Sequence, residues 1–152
     1  MPGVTVINQS GKSLGALISA GNSKYLYEMF GSSGRKGKAY DEVEWLTYSS
    51  DGTASALAVR KGKSWCVVVN GKEGPEFDRV VSPKFSPDGK KIVYRARSNG
   101  ERYVIVANLD GSVIKEHPHY DAIWDVNFTN DGAAVGYGVK QGNELLWKVE
   151  KL

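Results

Sequence analysis

Three aspartates recur at one position of the sequence and are the residues best placed to form a shared charged site. Asp41, Asp78 and Asp121 each follow an aromatic residue and precede a short run of β-forming residues. One interpretation is a ring of carboxylates that binds a cation or a basic partner. The alternative is structural, because aspartate in a turn accepts hydrogen bonds from backbone N–H groups and fixes the loop. Recurrence in successive units favours the structural interpretation.

The residues beside these aspartates differ between the units, and such positions are better candidates for recognising a ligand. Together with the three aspartates, the candidates are Glu42, Glu44, Trp45, Arg79, Ser82, Trp124 and Asp125. Aromatic and charged side chains in one place suit the anchoring of a protein or peptide, since tryptophan and arginine dominate many interfaces energetically. For Trp45 and Trp124, packing between neighbouring units is an equally open alternative.

Two histidines flank a proline in the run His117-Pro118-His119. On a regular extended strand, residues two positions apart point to the same face, as a pair of metal ligands requires. Only Glu116 and Asp121 offer further ligands nearby, and a lone His-x-His pair is a weak signal. We therefore expect an exposed outer strand with Pro118 at an edge position, and no metal site.

Catalytic motifs are absent from the sequence. It has no Gly-x-Ser-x-Gly elbow, no His-Glu-x-x-His and no Cys-x-x-Cys. Gly11-Lys12-Ser13 resembles the end of a phosphate-binding loop, but Val6 stands where the first glycine is required. We therefore expect a hairpin there, and neither enzymatic activity nor a cofactor.

The elements that position the candidates are short β-strands in a repeated unit. Residues 40–52, 77–89 and 120–132 share one pattern: aromatic-Asp-x-(Val/Ile), four residues, an aromatic residue, two residues and Asp-Gly. A degraded copy ends the run Ile7-Asn8-Gln9-Ser10-Gly11. The glycines at positions 11, 52, 89 and 132 give periods of 41, 37 and 43 residues. These periods lie in or beside the range of propeller blades.

Within each period, β-forming runs alternate with turn residues. Asn99-Gly100 and Asp110-Gly111 are strong hairpin signals, because both central residues of a type I′ turn need positive φ. No stretch of roughly ten residues has apolar positions at helical spacing. The sequence predicts an all-β fold of β-propeller type, with about four tandem four-stranded antiparallel units in one domain. The units cover approximately residues 1–40, 41–77, 78–120 and 121–152.

The run Phe85-Ser86-Pro87-Asp88-Gly89 resembles the signature of the TolB-like, or WD-repeat-like, β-propeller family. The second and fourth units carry the variants Tyr48-Ser49-Ser50-Asp51-Gly52 and Phe128-Thr129-Asn130-Asp131-Gly132. The resemblance implies propellers that mostly bind proteins or sit beside separate catalytic domains, and fold alone does not fix activity. One apolar or aromatic position in the first strand of each unit is expected to pack between blades, namely Ile7, Tyr48, Phe85 and Phe128.

The phasing of the units suggests how the array is completed. The sequence starts inside a first strand near Val4, and its fourth unit lacks the expected last strand. One arrangement is a closed four-bladed ring. The other is half of a larger, eight-bladed ring, completed by a second copy or by the rest of a longer protein. An open array exposes a strand edge and an apolar face, so we expect self-association into a homodimer.

The composition and net charge of the sequence limit the classes of partner that the protein is expected to bind. Hydrophobic residues make up 41% and charged residues 24%, as in folded globular proteins. The net charge of +3 is spread over scattered lysines and arginines, which argues against a nucleic-acid partner. Neither a membrane span nor a signal peptide is evident, so we expect a cytoplasmic location for the sequence as given, unless it belongs to a longer precursor.

These observations favour a non-catalytic scaffold of β-propeller type that binds a protein or peptide. The alternatives are an accessory propeller domain of a larger enzyme, for example a hydrolase, and a propeller that binds a small ligand. The single Cys66 lies in an apolar run and is expected to be a buried structural residue.

Overall fold

The β-forming runs of the sequence fold into four successive antiparallel sheets. The computed structural model describes residues 2–7, 11 and 13–152. Each strand pairs with its neighbour in sequence, so that every sheet is a meander with its first strand at one edge. Over the described residues, three sheets have four strands and the last has three, which confirms the predicted all-β, propeller-type fold.

The strands of the first two sheets are β1 (Pro2–Ile7), β2 (Ser13–Ala20), β3 (Ser23–Phe30), β4 (Ser33–Lys36), β5 (Glu42–Tyr48), β6 (Ser55–Lys61), β7 (Ser64–Val69) and β8 (Lys72–Glu73). The strands of the third and fourth sheets are β9 (Arg79–Phe85), β10 (Lys91–Ser98), β11 (Glu101–Asn108), β12 (Val113–Tyr120), β13 (Ala122–Phe128), β14 (Ala134–Gln141) and β15 (Glu144–Lys151). Among the described residues, none forms a helix that is long and apolar enough to span a membrane.

Among the residues whose side chains are described, the core consists of three hydrophobic clusters, one between each pair of neighbouring sheets. In the second sheet, Ala58 and Val67 pack against the third sheet, whereas Val59 and Cys66 pack against the first. Because both faces are covered, β6 and β7 are continuous apolar runs rather than alternating ones. Burial raises the pKa of the Cys66 thiol to about 11, so this cysteine is protonated at neutral pH.

The aromatic positions of the first strands also lie between sheets. Tyr48, Phe85 and Phe128 are each half-buried against a different one of the three clusters. This confirms the predicted packing for these three residues. The prediction for the degraded first copy falls on residues 8–10, which lie outside the described residues, and on the side chain of Ile7, which is not described either.

The Asn-Gly and Asp-Gly pairs form two kinds of turn, although the sequence predicted one. In the Asn99-Gly100 turn, both residues have positive φ, at 51° and 78°, as a type I′ turn requires. At Asp88-Gly89 only the glycine does, at 70°. There the Asp88 Oδ1 accepts hydrogen bonds from the Ser86 hydroxyl at 2.6 Å and the Lys90 N–H at 3.0 Å. The type I′ prediction was wrong for Asp-Gly, because the aspartate side chain stabilises a different turn that ends on glycine.

Candidate functional site

The three recurring aspartates lie immediately before β5, β9 and β13, the first strands of their sheets. In each sheet, one carboxylate oxygen accepts a backbone N–H from the turn between the second and third strands. The donors are Gly62 to Asp41 at 2.6 Å, Asn99 to Asp78 at 2.8 Å and Gly142 to Asp121 at 2.8 Å. The aspartates therefore make the bonds that the structural alternative requires, each within its own sheet.

The first strands carry a repeated β-bulge that the sequence did not reveal. Trp45, Ser82 and Asp125 have left-handed backbones, with φ of 60°, 52° and 55°. Each coincides with a shift in register between the first and second strands of its sheet. A bulge of this kind re-aims the local side chain. Because none of the three residues is glycine, the residue types gave no signal of a left-handed backbone.

Trp45 projects from its bulge toward solvent, with 47% of its surface exposed. It borders a cavity of about 440 Å³ that is otherwise lined by Leu17, Val43, Glu44 and Leu46. Among the described residues, the three buried clusters and the side chains packed against them do not include Trp45. Trp45 therefore does not pack between neighbouring units in the way that the alternative interpretation predicts.

Trp124 lies instead against its own sheet. It is half-buried, and it stands opposite Gly138 on the neighbouring strand. A Cβ atom added to Gly138 would come within 2.8 Å of the Trp124 Nε1 atom. The absence of a side chain at Gly138 therefore makes room for the indole.

Two of the charged candidates meet across sheets. The Arg79 Nη2 atom lies 2.6 Å from Oε2 of Glu44, and its guanidinium carbon lies 3.8 Å from the centre of the Trp65 ring. Glu42 is held by Lys24 of the first sheet and by Arg60 of its own sheet, the latter at 3.6 Å. The hydrogen bond from Lys24 is the main reason that the pKa of Glu42 lies below its usual value.

Three further arginines, which the sequence did not single out, line a cleft between the third and fourth sheets. The cleft has a volume of about 130 Å³ and is lined by Arg79, Val81, Arg95, Ala96, Arg97, Arg102 and Ile123. Arg95 donates to the Ile123 carbonyl at 2.9 Å, and Arg102 donates to the Asp121 carbonyl at 2.7 Å. Burial lowers the pKa of Arg95. Aligning the strands of the four units would have shown that these arginines share one sheet face.

The two histidines lie in different environments, so the prediction that they share one exposed face was wrong. His117 is buried, with its ring centre 6.1 Å from that of Tyr137 in the fourth sheet. His119 is exposed and places its Nδ1 atom 2.9 Å from Oε2 of Glu101. A shift in register along β12 between these positions separates the two side chains. In the part of the chain that the structure describes, no three His, Cys, Asp or Glu side chains are grouped as metal ligands.

Comparison with known proteins gives partial sequence matches and extensive structural ones. No family model matches the chain. The Tol-Pal system protein TolB of Wolbachia sp. subsp. Drosophila simulans (strain wRi) and that of Wolbachia pipientis wMel are each 34% identical over 83 residues. The matched segment makes up 50% of this chain and 18% of each relative, so the match spans a small part of those proteins.

Solved structures extend the likeness over nearly the whole chain. TolB from Acinetobacter baumannii superimposes with a TM-score of 0.62 at 21% identity, covering 93% of this chain and 38% of that one. The β-propeller domain of the trilobed protease from Pyrococcus furiosus gives 0.71 at 13% identity, covering 93% and 54%. At these identities the likeness concerns architecture. The fold of this chain is therefore that of a TolB-like β-propeller.

Proposed function

We propose that this chain is a non-catalytic propeller scaffold that binds a protein or peptide beside the bulges of its first strands. One observation carries the proposal: the same left-handed bulge recurs in three sheets, yet it presents a different side chain in each, namely Trp45, Ser82 and Asp125. A constant backbone with variable side chains suits a recognition surface, because repeat proteins hold their framework fixed and vary the residues that contact the partner.

The surroundings of Trp45 support a peptide anchor there. An exposed indole beside an apolar cavity provides a surface for a hydrophobic side chain of the partner. Glu44 lines the same cavity and is fixed by Arg79, so a charged pair borders the apolar surface. An apolar centre with a polar rim is the usual anatomy of a protein interface. The relatives are named as proteins of the Tol-Pal system, a setting in which a role beside other proteins is reasonable for this chain as well.

Selection of peptides tests this proposal. A phage-displayed library of random dodecapeptides is selected on the immobilised chain, and the dissociation constants of the enriched peptides are measured for the wild type, Trp45→Ala and Phe30→Ala. Phe30 is the control, since it is an exposed aromatic residue at the end of β3. We expect Trp45→Ala to weaken binding about 10-fold or more and Phe30→Ala to leave it unchanged. Failure to enrich any peptide, or equal binding by Trp45→Ala, would contradict the proposal.

We further propose that two copies of the chain associate into a closed ring. In the second sheet, Trp65, Val67 and Val69 are only 8%, 2% and 1% exposed, because the third sheet covers them. The residues at the same positions of the fourth sheet are Leu145, Trp147 and Val149, which are 71%, 64% and 59% exposed. This face thus carries the apolar side chains of an inter-sheet surface without a neighbouring sheet.

A second copy offers a suitable neighbour. The outward face of its first sheet carries Tyr27 and Met29, on the side opposite Leu26, which packs against the second sheet. If the fourth sheet of each copy meets the first sheet of the other, the eight sheets form a closed ring. Light scattering coupled to size exclusion should then give a mass of twice 16.6 kDa. A monomeric mass at micromolar concentration would overturn this arrangement and leave the peptide-binding proposal intact.

A further inference from the structure

The third sheet places three arginines, Arg95, Arg97 and Arg102, on the face toward the fourth sheet. Arg97 on β10 stands opposite Arg102 on β11 and opposite Arg79 on β9, but the guanidinium of Arg79 extends to Glu44 and Trp65 of the second sheet. Arg95, two residues before Arg97, projects from the same face, and its side chain reaches the Ile123 carbonyl of the fourth sheet. Like charges directly opposite one another on adjacent strands are destabilising. This face therefore carries a concentration of positive charge that folding alone does not favour.

The second sheet shows how the same position is neutralised elsewhere in the chain. Arg60 occupies the place that Arg97 has in the third sheet, but it stands opposite Glu42 and Trp65. Arg60 lies 3.6 Å from Glu42, and Trp65 is covered by the guanidinium of Arg79 from the next sheet. Here the charge is paired, and a side chain from the neighbouring sheet fills the space.

Each of these compensating residues is replaced at the interface of the third and fourth sheets. On the first strand of the third sheet, Arg79 occupies the position of Glu42 and Val81 occupies the position of Glu44. On the third strand of that sheet, Arg102 occupies the position of Trp65. In the fourth sheet, Ala122 stands where Arg79 stands in the third, and its short side chain does not reach across. The result is the cleft of about 130 Å³ described above.

Arg79 pairs with Glu44, whereas the other guanidinium groups that line this cleft have little compensation. Asp125 acts on Arg95 electrostatically but forms no ion pair with it in the described part of the chain. Among the described residues, Arg95, Arg97 and Arg102 take part in none of the ion pairs, and Arg95 and Arg102 donate to neutral backbone carbonyls. Val81 and Ile123 supply apolar walls beside them. The cleft is smaller than the roughly 300–1,000 Å³ of sites for drug-sized ligands, so it suits a single side chain.

We propose that the arginine cleft between the third and fourth sheets binds an aspartate or glutamate side chain of a protein partner. Arginine pairs with carboxylates through two parallel hydrogen bonds, which provides both energy and orientation. The apolar walls would contact the methylene groups of the acidic side chain. The inference rests on the proposed function in that the partner is a protein, but it concerns a surface other than the cavity beside Trp45.

Three variants with the same net charge test this proposal. Arg97→Gln removes one arginine from the cleft, Arg60→Gln removes the equivalent arginine that Glu42 already neutralises, and Val81→Glu places an acid opposite Arg95. Their affinities for a fluorescein-labelled octaglutamate peptide are measured by fluorescence anisotropy, with octaglutamine as the uncharged reference. We expect about 10-fold weaker binding for Arg97→Gln and less than about 2-fold for Arg60→Gln.

Val81→Glu should abolish binding of octaglutamate and raise the midpoint of thermal unfolding, because it supplies the missing carboxylate within the protein. Equal losses in Arg97→Gln and Arg60→Gln would show attraction by net charge alone and overturn the proposal. Displacement of the peptide by inorganic phosphate but not by acetate would also overturn it, since the site would then be one for phosphate. If octaglutamate does not bind while library peptides still bind through Trp45, the cleft proposal fails and the proposed function stands.

Discussion

The side chain of Arg79 extends from the third sheet to Glu44 on the first strand of the second sheet, where Nη2 of Arg79 lies 2.6 Å from Oε2 of Glu44. The same guanidinium covers the ring of Trp65 at 3.8 Å. One side chain thus joins an ion pair to a cation–π contact and closes the cleft between the second and third sheets. Between the third and fourth sheets, where Ala122 takes the equivalent place, the cleft stays open.

A double-mutant cycle of Glu44→Gln and Arg79→Gln tests the strength of this contact between sheets. Both side chains are partly exposed, so we expect a coupling free energy of about 0.5–1 kcal/mol from urea unfolding. Arg79→Lys alone should also destabilise the protein, because lysine keeps the charge but loses the planar group that stacks on Trp65. Coupling that did not decline between low and high salt would contradict an electrostatic origin.

Alanine at Asp78 should destabilise the fold, whether or not a ligand is present. The Asp78 carboxylate accepts the Asn99 N–H at 2.8 Å, and its loss removes a hydrogen bond from the turn between β10 and β11. We expect Asp78→Ala to lower the free energy of unfolding by about 1–2 kcal/mol, and Asp78→Asn to lower it less, because the amide keeps an oxygen acceptor. Chemical denaturation of the two variants measures this. Unchanged stability in Asp78→Ala would instead indicate that the residue serves only a ligand.

The sequence predicted the sheets because their signals are local. An aromatic-Asp pair, a β-forming run and an Asp-Gly turn recur in three of the four units, and these aspartates accept backbone hydrogen bonds such as that from the Gly142 N–H to Asp121. Strands buried on both faces, such as β7, still appear as short apolar runs between turns. Local turn chemistry and run length were therefore sufficient to predict the architecture.

The candidate site was harder to predict because it depends on register. A single extra residue in β12 separates His117 from His119, and the run itself gives no sign of it. The bulge at Trp45 is similar, since no glycine marks it. The arginine cleft depends on which strands lie opposite one another and on the short side chain of Ala122 in the next unit. Such relationships emerge only after the strands are paired.

Glycine at the Ser82 bulge should stabilise the protein. Ser82 has a φ of 52°, a left-handed conformation that is unfavourable for most residues with a Cβ atom and is readily adopted by glycine. We expect Ser82→Gly to raise the free energy of unfolding by about 0.5–1 kcal/mol, after allowance for the greater entropy of unfolded glycine. Ser82→Ala is the control, because it removes the hydroxyl but keeps the Cβ atom. If the two variants had equal stability in urea, relief of backbone strain would not be the cause.

Acid should weaken the fold through Glu73, which joins three elements at the outer edge of the second sheet. Its carboxylate accepts hydrogen bonds from Lys38 at 2.7 Å, Lys61 at 2.6 Å and the Tyr40 hydroxyl at 3.0 Å. The bond from Lys38, followed by that from Lys61, lowers the pKa of Glu73 from its usual 4.5 to about 2. The pKa of Glu73 is lower in the folded state than in the unfolded state. The resulting stabilisation is therefore complete above about pH 5 and is lost as the pH falls through the pKa of Glu73 in the folded protein.

Glu73→Gln isolates this contribution, since glutamine does not titrate. We expect the variant to be less stable than the wild type at pH 6 by about 1 kcal/mol, a value reduced by the partial exposure of the carboxylate. The difference should shrink steadily between pH 5 and pH 2, because protonation removes the same charge from the wild type. Urea unfolding at intervals across this range measures it, with Glu144→Gln on the exposed β15 as the control. A stability difference that stays constant with pH would show that Glu73 acts through packing and not through its charge.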